Sequence, residues 1–447
     1  MNDATLREIM RRDDRFLGRA MKIRFFPIAP DRAEGTRIYD VNGRSYLDFT
    51  ASWAVANVGY GHQRVKESLI RQWERLSCCS LTSVFQATSI SLAERLVELV
   101  PGDFAKKVWF GLSGSDANDC VAKMLPMASG RPRMLSFMGA YHGQTMGSLS
   151  LSGHSAQAKF LGLPNVVKVP YPYCYRCPFG KVPSGCGLFC LTFIEDYVFK
   201  TVCPPEDTAA VIVEAVQSDG GDVVPPAGYL QALEALCKKH GIYLVLDEVK
   251  IGFGRTGKFF GFQHEGVVPD AVVMGKPMAG GFPMSAVVAR QEILDAGTAT
   301  HLLTVAGHPV GCAASLATID AVLDEGLLEN AALVGAYLRK GLQELKQRHP
   351  LIGDVRGRGL ILGVELVKDP GSKQPATGET AKVVYRAFEL GLLVYYVGIH
   401  SNVLELTPPL TLTKEEAEEG LAVLDQALAE VAEGRVADEK IKEFAGW

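Results

Sequence analysis

Leu244-Val-Leu-Asp247-Glu-Val-Lys250 is an apolar run that ends in two carboxylates and an ammonium. An unpaired charge at the end of a buried strand costs several kcal/mol, so these residues require partners that a plain core does not supply. Asp247 and Val249 are two positions apart. Side chains alternate along an extended chain, so a carboxylate and a small apolar surface meet the same ligand. A flat heteroaromatic ring with a protonated nitrogen fits both. Val273-Met-Gly-Lys276-Pro-Met-Ala-Gly-Gly281 sets a lysine after a second apolar run and before a glycine-rich turn. There its amine can condense with an aldehyde. Phe110-Gly-Leu-Ser113-Gly114-Ser115-Asp116 follows a third run and opens a helical pattern with Ala117, Val121, Met124 and Leu125 on one face. Ser113 and Asp116 have capping-box spacing. The backbone N–H groups of Gly114 and Ser115 would then point at an anion near the positive end of the helix.

Each segment alone also has a plain structural reading: a charged strand end, a turn lysine, a helix cap. Together they specify pyridoxal 5'-phosphate (PLP). Its ring nitrogen needs a carboxylate, its aldehyde a lysine and its phosphate a helix N-terminus.

The elements that must position these residues follow from the apolar pattern. Lys107-Val-Trp-Phe110, Met134-Leu-Ser-Phe137, Ala210-Val-Ile-Val213, Tyr243-Leu-Val-Leu246 and Ala271-Val-Val-Met274 alternate with amphipathic segments. This alternation predicts an α/β fold with a mostly parallel sheet, whose carboxyl edge is where ligands bind. Helical patterns over 332–345 and near 413–432, with an apolar run over 360–366, predict a smaller α+β lobe. The expected division is a large domain over 66–328 and a small domain from 1–65 and 329–447.

Composition narrows the function. The 447 residues are 47% hydrophobic and 21% charged, with a net charge of -4, as in a globular protein with ample core. No long basic run is present, which argues against a nucleic-acid partner. The charged start MNDATLREIMRRDDRF lacks a signal-peptide core, and nowhere do about eighteen apolar residues run together, so a cytoplasmic protein without a membrane span is expected. Most of the ten cysteines are scattered. Cys174-Tyr-Arg-Cys177 and Cys186-Gly-Leu-Phe-Cys190 instead have spacing compatible with a tetrahedral structural zinc, a disulfide or plain thiols.

The stretches LVLDEVKIGFGRTGKFFGFQHEGVVPD, VVMGKPMAGGFPMSAVV, GLSGSDAND, AYHGQT and LTVAGHPVGCAASLA together resemble the class III branch of fold type I PLP enzymes, mostly aminotransferases. The resemblance covers nearly the whole chain. It implies Lys276 as the cofactor lysine, Asp247 as the partner of the pyridine nitrogen and Val249 and Tyr141 on either side of the ring. It further implies Ser113, Gly114 and Ser115 as the phosphate cradle and Thr304 reaching the phosphate of a neighbouring subunit. A homodimer with shared sites, or a dimer of dimers, follows.

Arg24-Phe-Phe-Pro27, Ala215-Val-Gln217-Ser218-Asp219-Gly-Gly221, DEVK, Leu392-Leu-Val-Tyr-Tyr-Val397, Asn402-Val-Leu-Glu405-Leu-Thr-Pro-Pro409 and Glu443-Phe-Ala-Gly-Trp447 are similar more narrowly to the α-amino-ε-caprolactam racemase group of amino-acid racemases. This implies Asp219 as acid/base opposite Lys276, through Tyr141 or water, and Trp53 as a pocket wall; a turn aspartate and a core tryptophan are the plain alternatives. Glu405 stands where many class III aminotransferases carry a carboxylate-binding arginine. A glutamate there would repel a free α-carboxylate and suit an amide, a lactam or a second amino group. Lys250 replaces the usual glutamine, and its ammonium could hold the cofactor's phenolate oxygen. Solvated surface charges are the plain reading of both. The expected activity is racemisation of an α-amino lactam, amino-acid amide or related small amino compound. The alternatives are a class III aminotransferase and a catalytically silent PLP-binding protein.

Overall fold

The computed structural model describes residues 4–154 and 165–444. Its central sheet has seven strands: β1 (Lys106–Gly111), β2 (Arg133–Phe137), β3 (Val166–Val169), β4 (Thr208–Glu214), β5 (Tyr243–Asp247), β6 (Ala271–Met274) and β7 (Ser285–Arg290). Their order is β1-β7-β6-β5-β4-β2-β3. Strands β2 to β6 pair in parallel, while β7 runs antiparallel to both β6 and β1. The five apolar runs singled out above all fall within these strands.

Strand β4, Thr-Ala-Ala-Val-Ile-Val-Glu, is buried at every position, as a parallel strand covered on both faces must be. The helix Gly114–Ser129 packs Ala117, Val121, Met124 and Leu125 against Ile212, Val245 and Val273. On the other face, Tyr229 and Leu233 of the helix Tyr229–His240 join the core that contains Leu244 and Leu246. Each fully buried Val or Leu contributes about 1.5–3 kcal/mol, which locks both layers to the sheet. Period-two alternation in β5 puts Asp247 on the face of Val245. That face is covered by the helix Gly114–Ser129.

Two smaller sheets use the chain ends. Pro30–Glu34, Arg37–Asp40 and Ser45–Asp48 form a meander that takes Leu392–Leu393 as a parallel fourth strand. Ile352–Arg358, Ile361–Asp369, Val403–Leu406 and Tyr395–Val397 form the other in that order, with Gln374–Pro375 beside Ile361–Asp369. Helices Leu327–Arg348, Thr377–Leu390 and Lys414–Ala432 contribute buried apolar faces to this part of the core. Among the described residues no helix is long and apolar enough to cross a membrane. The last three residues, including Trp447, lie outside the described residues.

Candidate active site

Strands β1, β4, β5 and β6 end at the same edge of the sheet, and a cavity of about 340 Å³ opens there. Lys276, Asp247, Val249 and Lys250 line it from the ends of β5 and β6. Ser113, Gly114 and Ser115 line it from the start of the helix that follows β1, and Tyr141 and Asp219 from two loops. Residues more than one hundred positions apart therefore share one space because parallel strands align their carboxyl ends.

All three charges of the strand β5 terminus find partners. Asp247 is buried; its Oδ2 accepts from His142 Nδ1 at 2.7 Å and from Asn118 Nδ2 at 2.9 Å, and its Oδ1 from the Val249 N–H at 2.9 Å. A carboxylate has about four lone-pair positions, so capacity remains for a ring N–H. Burial disfavours a charged His142, but the hydrogen bond and charge of Asp247, with the charge of Glu214, hold its pKa above the ordinary value. Glu248 turns away and accepts from the N–H groups of Gly261 and Phe262 at 2.8 and 3.1 Å, and burial pushes it up to about 8. Lys250 contacts Glu405 directly and lies 3.7 Å from Asp219.

Lys276 follows β6 with φ +36. A non-glycine residue in the left-handed region costs about 1–3 kcal/mol, and such strain collects where ligands are held. Burial first, then the charge of Lys250, lowers the Lys276 pKa, which favours the neutral, nucleophilic amine. Its Nζ is 6.0 Å from the centre of the Tyr141 ring.

The anion cradle is built by close packing. Ser113 and Asp116 form the capping box: Ser113 Oγ accepts the Asp116 N–H at 3.3 Å, and Asp116 Oδ2 accepts the Ser113 N–H at 3.1 Å. The first-turn N–H groups of Gly114 and Ser115 have no preceding helical carbonyl to bind. A Cβ at Gly114 would stand 2.6 Å from Val249 Cγ1, and one at Gly143 2.4 Å from Ser115 Oγ. Only glycine lets these backbones approach so closely. A carboxylate with spare acceptor capacity, a buried amine and a helix start with open N–H groups make the cavity fit PLP.

Two residues at this site were missed in the sequence. Glu214 ends β4 as Asp247 ends β5, and the two are register partners. Its carboxylate accepts from the N–H of Tyr141 at 3.1 Å and of Ser218 at 2.9 Å, positioning both loops. Burial, together with the charge of Asp247 and against that of His142, pushes it up to about 7. The strand-end rule that singled out Asp247 applies equally to Glu214. His142 lies within AYHGQT beside Tyr141, but local pattern carries no sign of its bond to Asp247.

Other expected residues lie elsewhere. Glu405 does not line the cavity: it is wholly buried on Val403–Leu406 behind Lys250, and it accepts from Ser218 Oγ at 3.1 Å. This corrects the expectation that it faces the substrate, because its charge is matched by the ammonium in front of it. Trp53 stacks on Tyr395 at 4.4 Å between ring centres, with Lys250 Nζ 5.1 Å from its ring. It rides on a left-handed turn, Ala51 to Ala54, with φ of 43, 53, 66 and 60. Such a turn costs about 1–2 kcal/mol per residue. Buried Asp48 holds its start, accepting from the Thr50 N–H at 2.8 Å, Thr50 Oγ1 at 2.6 Å and Tyr60 Oη at 2.7 Å. Thr304 is exposed and lies outside the cavity wall.

The zinc expectation is not supported. Cys174, Cys177, Cys186 and Cys190 line one small cavity with Phe179 and Phe189, but they are free thiols. Among the described residues no three His, Cys, Asp or Glu side chains gather to hold a metal ion. Burial raises the Cys174 pKa and pushes Cys190 up to about 11.

Known proteins agree with this geometry. The model of the aminotransferase class-III family matches residues 20–428. A leucine/methionine racemase of Thermococcus litoralis is 41% identical over 98% of this chain and 99% of its own. An alanine/serine racemase of Pyrococcus horikoshii is 40% identical over 96% of this chain and 92% of its own. The crystal structure of a PLP-bound amine transaminase from an uncultivated Pseudomonas species superposes with a TM-score of 0.84 at 34% identity, covering 90% of this chain and 95% of that one. With the strand-end lysine, carboxylate and helix cradle in place, the chain belongs to the class III aminotransferase family of fold type I PLP-dependent enzymes.

Proposed function

We propose that this chain racemises α-amino compounds, with free apolar α-amino acids as its leading substrates. The observation that carries the reading is the presence in one cavity of two acid/base groups, Lys276 and Asp219. PLP, when bound, supplies the electron sink that acidifies the Cα–H of a joined amino compound. Asp247 would partner the ring nitrogen, Val249 and Tyr141 would flank the ring, and Lys250 would meet the phenolate oxygen. Ser113, Gly114 and Ser115 would receive the phosphate. Lys276 would take or return the Cα proton on its own face. Asp219 does the same on the other, held in place by the bond from the Gly398 N–H to its backbone oxygen at 2.9 Å. Val55, Val216, Ile251 and Phe282 offer an apolar wall to the side chain.

Free amino acids are favoured because Glu405 is screened by Lys250, and because the two racemases named above act on them by name. Amides and lactams form the second reading. Lys250 is set against both Asp219 and Glu405, so its charge is already matched there and less of it is left for a substrate carboxylate. Transamination to a keto acid is supported by the likeness to the amine transaminase.

One enantiomer of leucine, incubated in deuterium oxide without keto acid, should lose optical activity and its α-proton together. An absolute need for a keto acid, with enantiomeric purity otherwise retained, establishes the aminotransferase instead. Leucinamide or α-amino-ε-caprolactam racemised faster than leucine would establish the second substrate reading.

A homodimer is part of the same proposal. Leu302 and Val305, beside Thr304 in the chain, are exposed, as are Val84 and Phe85, which follow closely on Ser80, whose Oγ donates to the Thr304 carbonyl at 2.9 Å; exposed apolar side chains of this kind mark an interface. A second copy over this face would bring its Thr304 to the phosphate. Light scattering should give twice the chain mass, and Phe85→Asp should shift it toward the monomer; a monomeric parent protein removes this part of the proposal.

A further inference from the structure

Behind the cavity wall, charged groups crowd around one glycine. Gly363 pairs across the sheet with Arg356 on one side and with Glu405 on the other. Residues directly opposite one another share a face, so the two side chains flank the place where Gly363 has none. Asp222 fills that place: its Cβ lies 3.0 Å from where a Cβ on Gly363 would be. Asp222 is wholly buried, at φ +51, with its N–H bonded to Ser218 O at 2.8 Å.

The polar groups here do not balance. Neither carboxylate oxygen of Asp222, nor Oε2 of Glu405, has a hydrogen-bond donor among the described residues. Arg356 directs Nε to Gly221 O at 2.8 Å and Nη1 to Asp354 and Glu365 at 2.9 and 2.7 Å, while its Nη2 is also without a partner. Lys250 reaches Oε1 of Glu405 and lies near Asp219. Ionised carboxylates only accept, so two of them on either side of Gly363 leave both oxygens of Asp222 and Oε2 of Glu405 unmet. One proton between them converts an acceptor into a donor and removes one of the charges.

We propose that Asp222 and Glu405 share one proton, with Asp222 as the acid that donates it to Oε2 of Glu405. The surroundings of Asp222 agree. Burial first, then the charge of Glu405, raises its pKa well above the usual carboxylate range; Asp219 adds to this, and Lys250 and Arg356 oppose it. The pair then carries a single charge, set in the field of the Lys250 ammonium and of the buried Arg255 guanidinium. Asp222 is thereby a positioning residue: it orients Glu405, which fixes the Lys250 ammonium 3.7 Å from Asp219. That catalytic consequence rests on the reading of Asp219 as the second base, whereas the shared proton does not.

The test uses the holoenzyme and Asp222→Asn, which keeps the shape and an N–H donor for Glu405 but carries no titrating proton. Native Asp222 holds its proton, while the unfolded chain releases it above about pH 4. The native state then binds more protons, so the stability from this group falls as pH rises above about 4. Asparagine lacks that loss. The melting temperature of the variant relative to the parent should therefore rise by at least about 2 °C between about pH 5 and about pH 8. A difference that does not change with pH, or a variant that loses ground as pH rises, overturns the proposal, because Asp222 would then be ionised and served by Arg356 or by water. Infrared difference spectra at neutral pH give a readout independent of stability. The parent should show a protonated-carboxyl C=O band that the variant lacks, and no such difference overturns the shared proton. In turnover, Asp222→Ala should lower kcat by on the order of tenfold, and Asp222→Asn should recover most of that loss. Equal losses in both would overturn the positioning role. Should the enzyme prove not to racemise, the melting and infrared measurements still decide the proton, so the two failures are distinguishable.

Discussion

Lys276→Ala should abolish turnover, by on the order of 10⁴-fold or more, and remove the visible absorption band of lysine-bound PLP. The expectation comes from position. Lys276 is a buried amine at the end of β6 whose pKa is lowered by burial and by Lys250, and it shares the cavity with Asp247, Val249 and Tyr141. The other cavity lysine, Lys250, is committed to Glu405 and Asp219, so it is not free to replace it. The alanine variant should still fold, since the neighbouring Pro277, Met278 and Ala279 carry the packing at this turn. A Lys276→Ala protein that keeps both the band and the activity assigns the cofactor to another lysine.

Asp247→Asn should slow turnover by about 10²–10³-fold, as removal of one preorganised charge does in a water-poor site. The carboxamide keeps the shape and can still accept from the Val249 N–H. It no longer carries the charge that keeps His142 above its ordinary pKa, so His142 should lose its proton at lower pH in the variant. The pH profile should therefore shift along with the rate. PLP saturation measured beside kcat separates a lost electron sink from lost binding. Unchanged turnover with the cofactor fully bound would show that Asp247 serves only the fold.

Much of this protein is written in local pattern. The five apolar runs become strands because β-branched and aliphatic residues bounded by turn residues cannot satisfy their faces otherwise. Ser113 and Asp116 set a helix start whose geometry depends on four consecutive residues, and the capping box forms as their spacing requires. Asp247 and Lys276 are legible for the same reason, since strand ends in a parallel sheet share an edge whatever the loops between them do.

Partnerships across the chain were not legible. Lys250 and Glu405 are 155 positions apart, and nothing in either segment tells that the one covers the other. Glu405 therefore reads in the sequence as a substrate-facing charge, and in the fold as a buried counter-ion. His142 on Asp247, at a separation of 105, and Asp222 over Gly363 are of the same kind. The four clustered cysteines show the converse: suggestive spacing, yet side chains that share an apolar cavity as thiols. The sequence by itself determined the elements, the sheet and the residues at its carboxyl edge, because these depend on short-range sterics and on alternation. Only the tertiary structure decided which charge meets which, because in a low-dielectric interior the fate of a carboxylate is set by the few donors within hydrogen-bonding distance, and packing alone brings them there.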